Sequence, residues 1–381
     1  IDDLSTSTIH AFSSVETSGV KKGSIINIST TASSISECLR NIEQQSGFKL
    51  KEVLVSFSGE EVSSTNSVGQ AAISENEVSA RDIENALNMS STLKIPNDKT
   101  LLYVVPNSFL IDGQDNINDP LGMNGIKLEA RSHLIHCSKN TKDNIKKCLK
   151  VSSSGIGIRK YFYSQLGVAH SVLTDYQKKL GVCVLDIGAG TTDISVYQNG
   201  SITFSKVLPY AGDYITEIIA SALDIQSSDA EAAKKKYGSA FSDDINDEML
   251  NISVENGKKS ISRKALAGLI ENSMSKILRH CLNSLEENNL LNNISNGIVI
   301  TGGSANMEGM VKLGEKLSNL NFKIGIPKYN LPRKSDNLMK PENSVILGMT
   351  KFYALEQDKE FTFNQSKGII ARVLEWIRTE L

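Results

Sequence analysis

GVCVLDIGAGTTDISVYQNG, residues 181–200, is the stretch that decides how this chain folds. The run Val182 to Leu185 is apolar and rich in β-branched residues, which reads as a buried strand. It drives into Asp186 and a turn holding Gly188 and Gly190, and apolar alternation resumes at Ile194, Val196 and Tyr197. The unit is therefore strand, glycine-rich turn, strand, and Asn199-Gly200 is a second hairpin signal leading to a third strand at 202–208. Glycines let backbone N–H groups converge on an anion, and the hydroxyls of Thr191 and Thr192 add donors. Asp186, at the strand end, suits a hydrated Mg²⁺. Over DIGAGTTD alone, a turn whose Asp and threonines serve only the turn reads the same way.

Length and composition set the frame. With 381 residues, the chain is long enough for roughly two to three domains. Its 40% hydrophobic and 22% charged residues are those of a soluble globular protein. A net charge of −2 without any Lys/Arg block argues against nucleic acid as a partner. The cysteines (Cys38, Cys137, Cys148, Cys183, Cys281) are scattered, and the apolar settings of Cys183 and Cys281 suggest buried free thiols in a reducing compartment. No run of roughly 18 apolar residues is present to span a membrane. The chain opens on Ile1 without a signal peptide, so a trimmed chain is expected.

Upstream of the hairpin, weak alternation at Leu4, Ile9 and Phe12 suggests an early strand. Helical spacing marks Ser36 to Gln45, with Gly47 as its cap, and VLVSF (53–57) reads as a strand. Ser74-Glu75-Asn76-Glu77 looks like a capping box before a helix with Val78, Ile83 and Leu87. Strands at 101–110 and 126–137, the first bulged or at an edge because of Pro106, and a helix at 141–149 complete an α+β insert. His133 and His136 have no partners at ligand spacing, so no metal centre is expected there. Strand 157–163 and a small-residue helix, Leu166 to Leu173, then precede the hairpin.

Downstream, Asp213 is a natural N-cap for a helix with Ile215, Ile218 and Ile219 on one face, and Gly212 permits close approach above the hairpin. Ser228 to Glu231 reads as another capping box, residues 239–260 as a hairpin or mobile loop, and Ser262 as the cap of a long helix. The apolar stripe of that helix, from Leu266 to Leu285, is core spacing. The segment GIVITGGSAN (297–306) is a strand, a glycine pair and a Ser304 cap for a following helix. Ile324 to Pro327 reads as a strand, and SVILGMTKFY (344–353) as a helix in which Gly348 allows close packing.

This order of pieces resembles the actin/Hsp70/sugar-kinase ATPase superfamily: the small-residue helix, DIGAGTTD, TGGSAN and a closing Gly348 helix. Within it the chain is similar to the FtsA family of bacterial cell-division proteins, through KVLPYAGDYIT (206–216), SSDAEAAKKKYG (227–238) and the position of the insert. The resemblance implies an α/β, actin-like ATPase fold, two lobes around a nucleotide cleft, with an α+β insert replacing actin subdomain 1B. It divides the chain into subdomain 1A (1–73, 161–180, 336–355), the 1C insert (74–160), 2A (181–212, 296–335), 2B (213–295), a linker (356–366) and a terminal helix (367–381). The superfamily's first phosphate loop, a DxGT/S hairpin, does not precede Leu4, so it is expected to lie upstream or to be missing.

Carried over, Gly188, Gly190, Thr191 and Thr192 would hold the phosphates of ATP, and Asp186 the hydration shell of Mg²⁺. Gly212 would border the phosphates, Glu231 and Lys234 would face ribose and base, and Gly302, Gly303 and Ser304 the adenosine. A capping box alone also explains Glu231, and Asp193 reads as a support of hairpin geometry. No general base is identifiable, so hydrolysis is expected to be slow or absent. In KGIIARVLEWIRTEL (367–381), Ile370, Val373, Leu374, Ile377 and Leu381 form an apolar stripe flanked by Ile369 and Trp376. The resemblance makes it a membrane-targeting helix. It implies a cytoplasmic protein, peripheral on the inner membrane at the division site. Its partners would be FtsZ, further copies of itself in a filament, inner-membrane lipid and other division proteins. The alternatives are a sugar-kinase-type phosphotransferase and a pilus-type actin-like adaptor.

Overall fold

The computed structural model describes residues 9–92, 96–153, 155–255, 257–328 and 337–363. In chain order, a short hairpin of β1 (Val20–Lys21) and β2 (Ser24–Ile25) leads into α1 (Ile28–Ser46) and β3 (Glu52–Phe57). Next come β4 (Ser63–Ala72), α2 (Ala80–Ser90), β5 (Lys99–Ile111), β6 (Gln114–Ile117) and β7 (Lys127–Ser138). They are followed by α3 (Lys139–Ser152), β8 (Gly157–Tyr163), α4 (Ser164–Val172) and α5 (Asp175–Leu180). The second half carries β9 (Val182–Ile187), β10 (Thr192–Gln198), β11 (Ser201–Leu208), α6 (Gly212–Leu223) and α7 (Ser227–Tyr237). It continues through β12 (Met249–Val254), β13 (Gly257–Ser262), α8 (Arg263–Glu287), β14 (Ile298–Thr301), α9 (Met310–Ser318), β15 (Phe322–Ile324) and α10 (Ser344–Phe363).

The central sheet has the order β11-β10-β9-β14-β15. β9, β10 and β11 form an antiparallel meander, whereas β14 joins β9 in parallel, with Ile298 opposite Cys183 and Thr301 opposite Asp186. A parallel neighbour needs a crossover, and here α6, α7, the β12–β13 hairpin and α8 fill that connection. Side chains alternate between two cores. Cys183, Leu185, Ile194 and Ile300 face α6 and α8, while Val182, Val184, Tyr197 and Val299 pack with α4 on the other face. Burial on both faces is why β9 and β14 read as unbroken apolar runs. Leu266, Ile270, Met274, Ile277, Leu278, Cys281 and Leu285 all reach the first core, as the helical spacing requires.

The other lobe is built on β3 and β8, paired in parallel, with α1, α3, α4 and α10. Helices α4 and α10 touch backbone to backbone. A Cβ at Gly348 would stand 1.7 Å from the Gly167 carbonyl, which is the close packing expected of that glycine. The insert is the sheet β4-β7-β5-β6 covered by α2, with its own core of Ile83, Phe109, Leu128 and Ala130. Pro106 does sit at a bulge in β5.

Several local expectations need correction. The insert begins earlier than Ser74, because β4 pairs with β7 from Ser63–His136 to Ala72–Lys127. It ends earlier than residue 160, since α3 packs on α1 and β8 pairs with β3. No strand forms at 9–12, and α1 starts at Ile28 with Asn27 as its cap, eight residues before Ser36. The capping box of α2 is Ser79 with Asp82, and residues 74–76 form a single tight turn instead. The helix after the glycine pair starts at Met310, past a tight turn at Gly303–Asn306, so Ser304 does not cap it. The strand near 324 is Phe322–Ile324. The linker expected from residue 356 is helical as far as Phe363, and the terminal helix expected at 367–381 lies outside the described residues.

The insert docks on the outer edge of β11, which would otherwise present unpaired backbone groups. Ser64 Oγ donates to the Ser205 carbonyl (2.7 Å), and Asn66 Nδ2 to the Thr203 carbonyl (3.1 Å). His133 bridges the seam, with Nδ1 2.7 Å from Asn66 Oδ1 and Nε2 2.9 Å from Ser205 Oγ. Burial, with His136 nearby as a second cause, pushes its pKa down to about 4. The unfolded chain, titrating near 6.5, takes up a proton that the folded seam refuses, so stability is full above that pH and falls as pH drops toward 4. This one site should cost about 2–3 kcal/mol between pH 7 and pH 4.5. Urea titrations of wild type and His133→Gln should therefore show a shallower pH slope in the variant; equal slopes would contradict the buried neutral imidazole.

Candidate functional site

The tip of the β9–β10 hairpin is organised so that its acceptors are used and its donors are not. Gly188 N–H closes the turn onto the Thr191 carbonyl (3.0 Å). The Gly188 carbonyl accepts from Gly212 N–H (3.1 Å) and from Ser304 Oγ (3.2 Å), and the Ala189 carbonyl accepts from Asp213 N–H (2.8 Å). Among the described residues nothing accepts from the N–H groups of Ala189, Gly190 and Thr191. A half-exposed turn with free amides and occupied carbonyls is selective for anions. The start of α6 lies directly behind it, adding the positive end of a helix dipole.

The second glycine turn reaches the same place because β14 runs parallel to β9. Gly302 follows Thr301, the residue opposite Asp186, and has φ 84 and ψ 174, a region open in practice only to glycine. A Cβ there would meet Asp186 Oδ1 at 2.4 Å and the Ile187 carbonyl at 2.6 Å. Gly303 is exposed with nothing within 4 Å of where its Cβ would be, so it offers a flat backbone surface. Gly212 is the point of convergence. A Cβ on it would lie 3.2 Å from the Gly188 carbonyl, 3.3 Å from Ser304 Oγ and 3.4 Å from Lys234 Nζ.

Two carboxylates lie beneath the tip. Burial pushes Asp186 up to about 6, against a stabilising hydrogen bond from Gln165 Nε2 (3.3 Å). Burial and then the nearby Asp186 charge push Asp193 up to about 7, although Ser58 and Thr191 hydroxyls donate to it. A hydrated cation arriving with the anion would favour the charged form of both carboxyls. Among the described residues no group of three or more His, Cys, Asp or Glu could cage a metal directly. Asp186, part-exposed at the end of β9, is a single carboxylate that could hold a hydrated cation through water.

The remaining expected residues fall into two groups. Gly188, Gly190, Thr191, Gly302, Gly303, Ser304, Gly212 and Asp186 are brought together. Thr192 is not at the surface of the turn: it is fully buried and its hydroxyl donates to the Tyr210 carbonyl (2.7 Å). Lys234 is buried, donating to the Gly212 carbonyl (3.0 Å) and Thr216 Oγ1 (2.8 Å) and pairing with Glu231 at 2.5 Å. Glu231 is not a cap either, since α7 starts on Gln226 without a side-chain cap bond. Burial would raise Glu231, but the Lys234 and Thr216 hydrogen bonds outweigh it and hold the carboxyl below its ordinary range. The pair thus fixes α7 against the start of α6 and props Gly212 under the tip. Asp213 occupies the first turn of α6, whose cap is Ala211. Ser58, Gln165 and Lys22 border the site and carry no sequence signal for it, because each is brought there by contacts between distant segments.

A family model described as "Cell division protein FtsA" matches residues 183–348, and another, "SHS2 domain inserted in FTSA", matches residues 59–136. The cell division protein FtsA of Pseudomonas aeruginosa is 33% identical over 345 residues, spanning 90% of this chain and 82% of that protein. FtsA of Escherichia coli K12 is 30% identical over 370 residues, spanning 94% and 87%. Among solved structures, a PilM-PilN type IV pilus biogenesis complex superposes with a TM-score of 0.62 at 15% identity, covering 88% of each chain. That likeness concerns the fold: an α/β, actin-like architecture of two lobes, with the SHS2 insert at the position of the β4-β7-β5-β6 sheet.

The two adjacent glycines separate cleanly in thermal melts. Gly302→Ala, forced into a glycine-only backbone region against Asp186, should lose about 2–4 kcal/mol. Gly303→Ala, with open space around it, should stay within about 0.5 kcal/mol of wild type. Equal losses would contradict the Gly302–Asp186 contact.

Proposed function

The chain belongs to the FtsA family of cell division proteins, and on that premise we propose that it binds ATP with Mg²⁺ between its lobes, polymerises, and tethers the FtsZ ring to the cytoplasmic face of the inner membrane. The observation that carries the nucleotide half is the meeting of two glycine turns at Asp186, one with free amides for phosphates and one with a bare backbone face for adenosine. Gly188, Gly190 and Thr191 hold phosphates, Asp186 orders the Mg²⁺ hydration shell, and Gly302 to Ser304 line the base. Glu231, part-exposed on α7, faces the ribose, while Lys234 stays buried beneath it and keeps Gly212 in place. ATP acts as a ligand that favours the closed, assembly-competent arrangement of the lobes, with little turnover.

The membrane half rests on the sequence of residues 367–381. Among the described residues no helix is long and apolar enough to cross a membrane. Ile369, Ile370, Val373, Leu374, Trp376, Ile377 and Leu381 would instead lie in the lipid surface, one weak anchor per protomer that a filament multiplies by avidity.

Two measurements check these halves separately. Calorimetric titration of the full chain with Mg-ATP should give saturable binding that Gly190→Val abolishes, since a Cβ there lies 3.0 Å from the Lys22 backbone and shields the free amides. Absence of wild-type binding contradicts the nucleotide reading. Co-sedimentation with liposomes should be lost on deletion of residues 367–381, and unchanged sedimentation contradicts the anchor.

A further inference from the structure

The β1–β2 hairpin lies against the tip of the β9–β10 hairpin, where Lys22 meets Gly190. Its register pairs Lys21 with Ser24, which leaves Lys22-Gly23 as a two-residue turn with φ of 50° and 77°. Such a turn favours Asn-Gly or Gly-Gly, because both central residues must take positive φ. Lysine at its first position costs about 1 kcal/mol in backbone conformation, so the choice is not made by the turn itself.

The turn is clamped on both sides. A Cβ on Gly23 would lie 2.3 Å from the Ser58 carbonyl and 2.6 Å from Gly59 Cα, so it is seated on the loop whose Ser58 hydroxyl donates to Asp193. A Cβ on Gly190 would lie 3.0 Å from Lys22 Cα and 3.1 Å from Lys22 N. Lys22 therefore belongs to one lobe and rests on the phosphate-selective tip of the other. Its ammonium stands 5.7 Å from the ring centroid of Tyr210, the residue after Pro209 at the exit of β11. That ring is braced by His280, stacked at 5.9 Å, and the Tyr210 carbonyl holds Thr192. Among the described residues Lys22 pairs with no carboxylate, and a half-exposed cation–π contact is worth only about 0.5–1 kcal/mol. A phosphate oxygen would be a much stronger partner for the same ammonium.

We propose that Lys22 ligates the terminal phosphate of the bound nucleoside triphosphate, leaving the Tyr210 ring for it, and so makes the closure of the cleft sensitive to that phosphate. This deepens the ATP reading and rests on it. The lysine reaches the tip from the opposite lobe, so its bond to a phosphate held by Gly188 to Thr191 joins the two lobes directly. A diphosphate, held by the same amides, would leave the ammonium on Tyr210.

The test is calorimetry on the full chain with Mg-ATP, Mg-ADP and adenosine. Lys22→Asn is the informative variant, because asparagine suits the turn and removes only the cation. The expected result is a fall in ATP affinity of about tenfold or more, equivalent to about 1.4 kcal/mol, with ADP and adenosine within about twofold of wild type. Thermal stability of the variant should equal or exceed that of wild type. A matching loss for ADP would overturn the assignment to the terminal phosphate, and unchanged ATP affinity would overturn a role for Lys22. Wild-type protein that binds no ATP would overturn the nucleotide reading on which both depend.

Discussion

The parallel pairing of β14 with β9 is the constraint on which the rest depends. Because Thr301 lies opposite Asp186, the glycine turns that follow the two strands leave the sheet at the same end and in contact. Sequence separates those turns by more than a hundred residues, and past β10 and β11 the intervening chain is the crossover that parallel pairing demands. The apolar stripe of α8 and the inner face of α6 bury the crossover on one side of the sheet, while α4 covers the other. Ligands of open α/β sheets gather at the carboxyl ends of the strands, and β9 and β14 both end at this tip.

Charge at that tip is arranged in layers. Free amides and the start of α6 face outward, and two carboxyls with raised pKa, part-buried Asp186 and buried Asp193, lie beneath them. Neither layer is comfortable alone, since the amides lack acceptors and Asp193 lacks solvent. A phosphate with its hydrated cation satisfies both at once. Lys234 and Glu231 neutralise each other behind Gly212, so the buried ammonium adds no unpaired charge beneath the tip.

Much of this was legible because it is periodic or glycine-marked. The β9–β10 hairpin, the glycine pair after β14, the stripe of α8 and the Gly348 contact follow from local pattern and hold in the structure. The failures share a physical origin. β4, SSTNSVGQAA, is a polar strand whose place is set by pairing with β7, so no alternation announces it. The first turns of α1 are serine and threonine, weak helix formers carried by tertiary packing. Glu231 and Ser228 match a capping box by spacing, yet Glu231 turns to Lys234 and Thr216, because a buried lysine needs an acid more than a helix needs a cap. Gly23 marks a turn at Lys22, but the place of Lys22 at the site depends on a contact between two hairpins that only the fold brings together.

The central claim is that the free amides at Ala189 to Thr191 and the backbone at Gly302-Gly303 form one nucleotide site. Amide hydrogen exchange of the full chain with and without Mg-ATP tests it at the level of those groups. The expected result is slowed exchange at residues 188–192 and 301–304 together, with the outer strands of the insert unchanged. Exchange that stays the same at both turns, or slows at one without the other, would contradict a shared site.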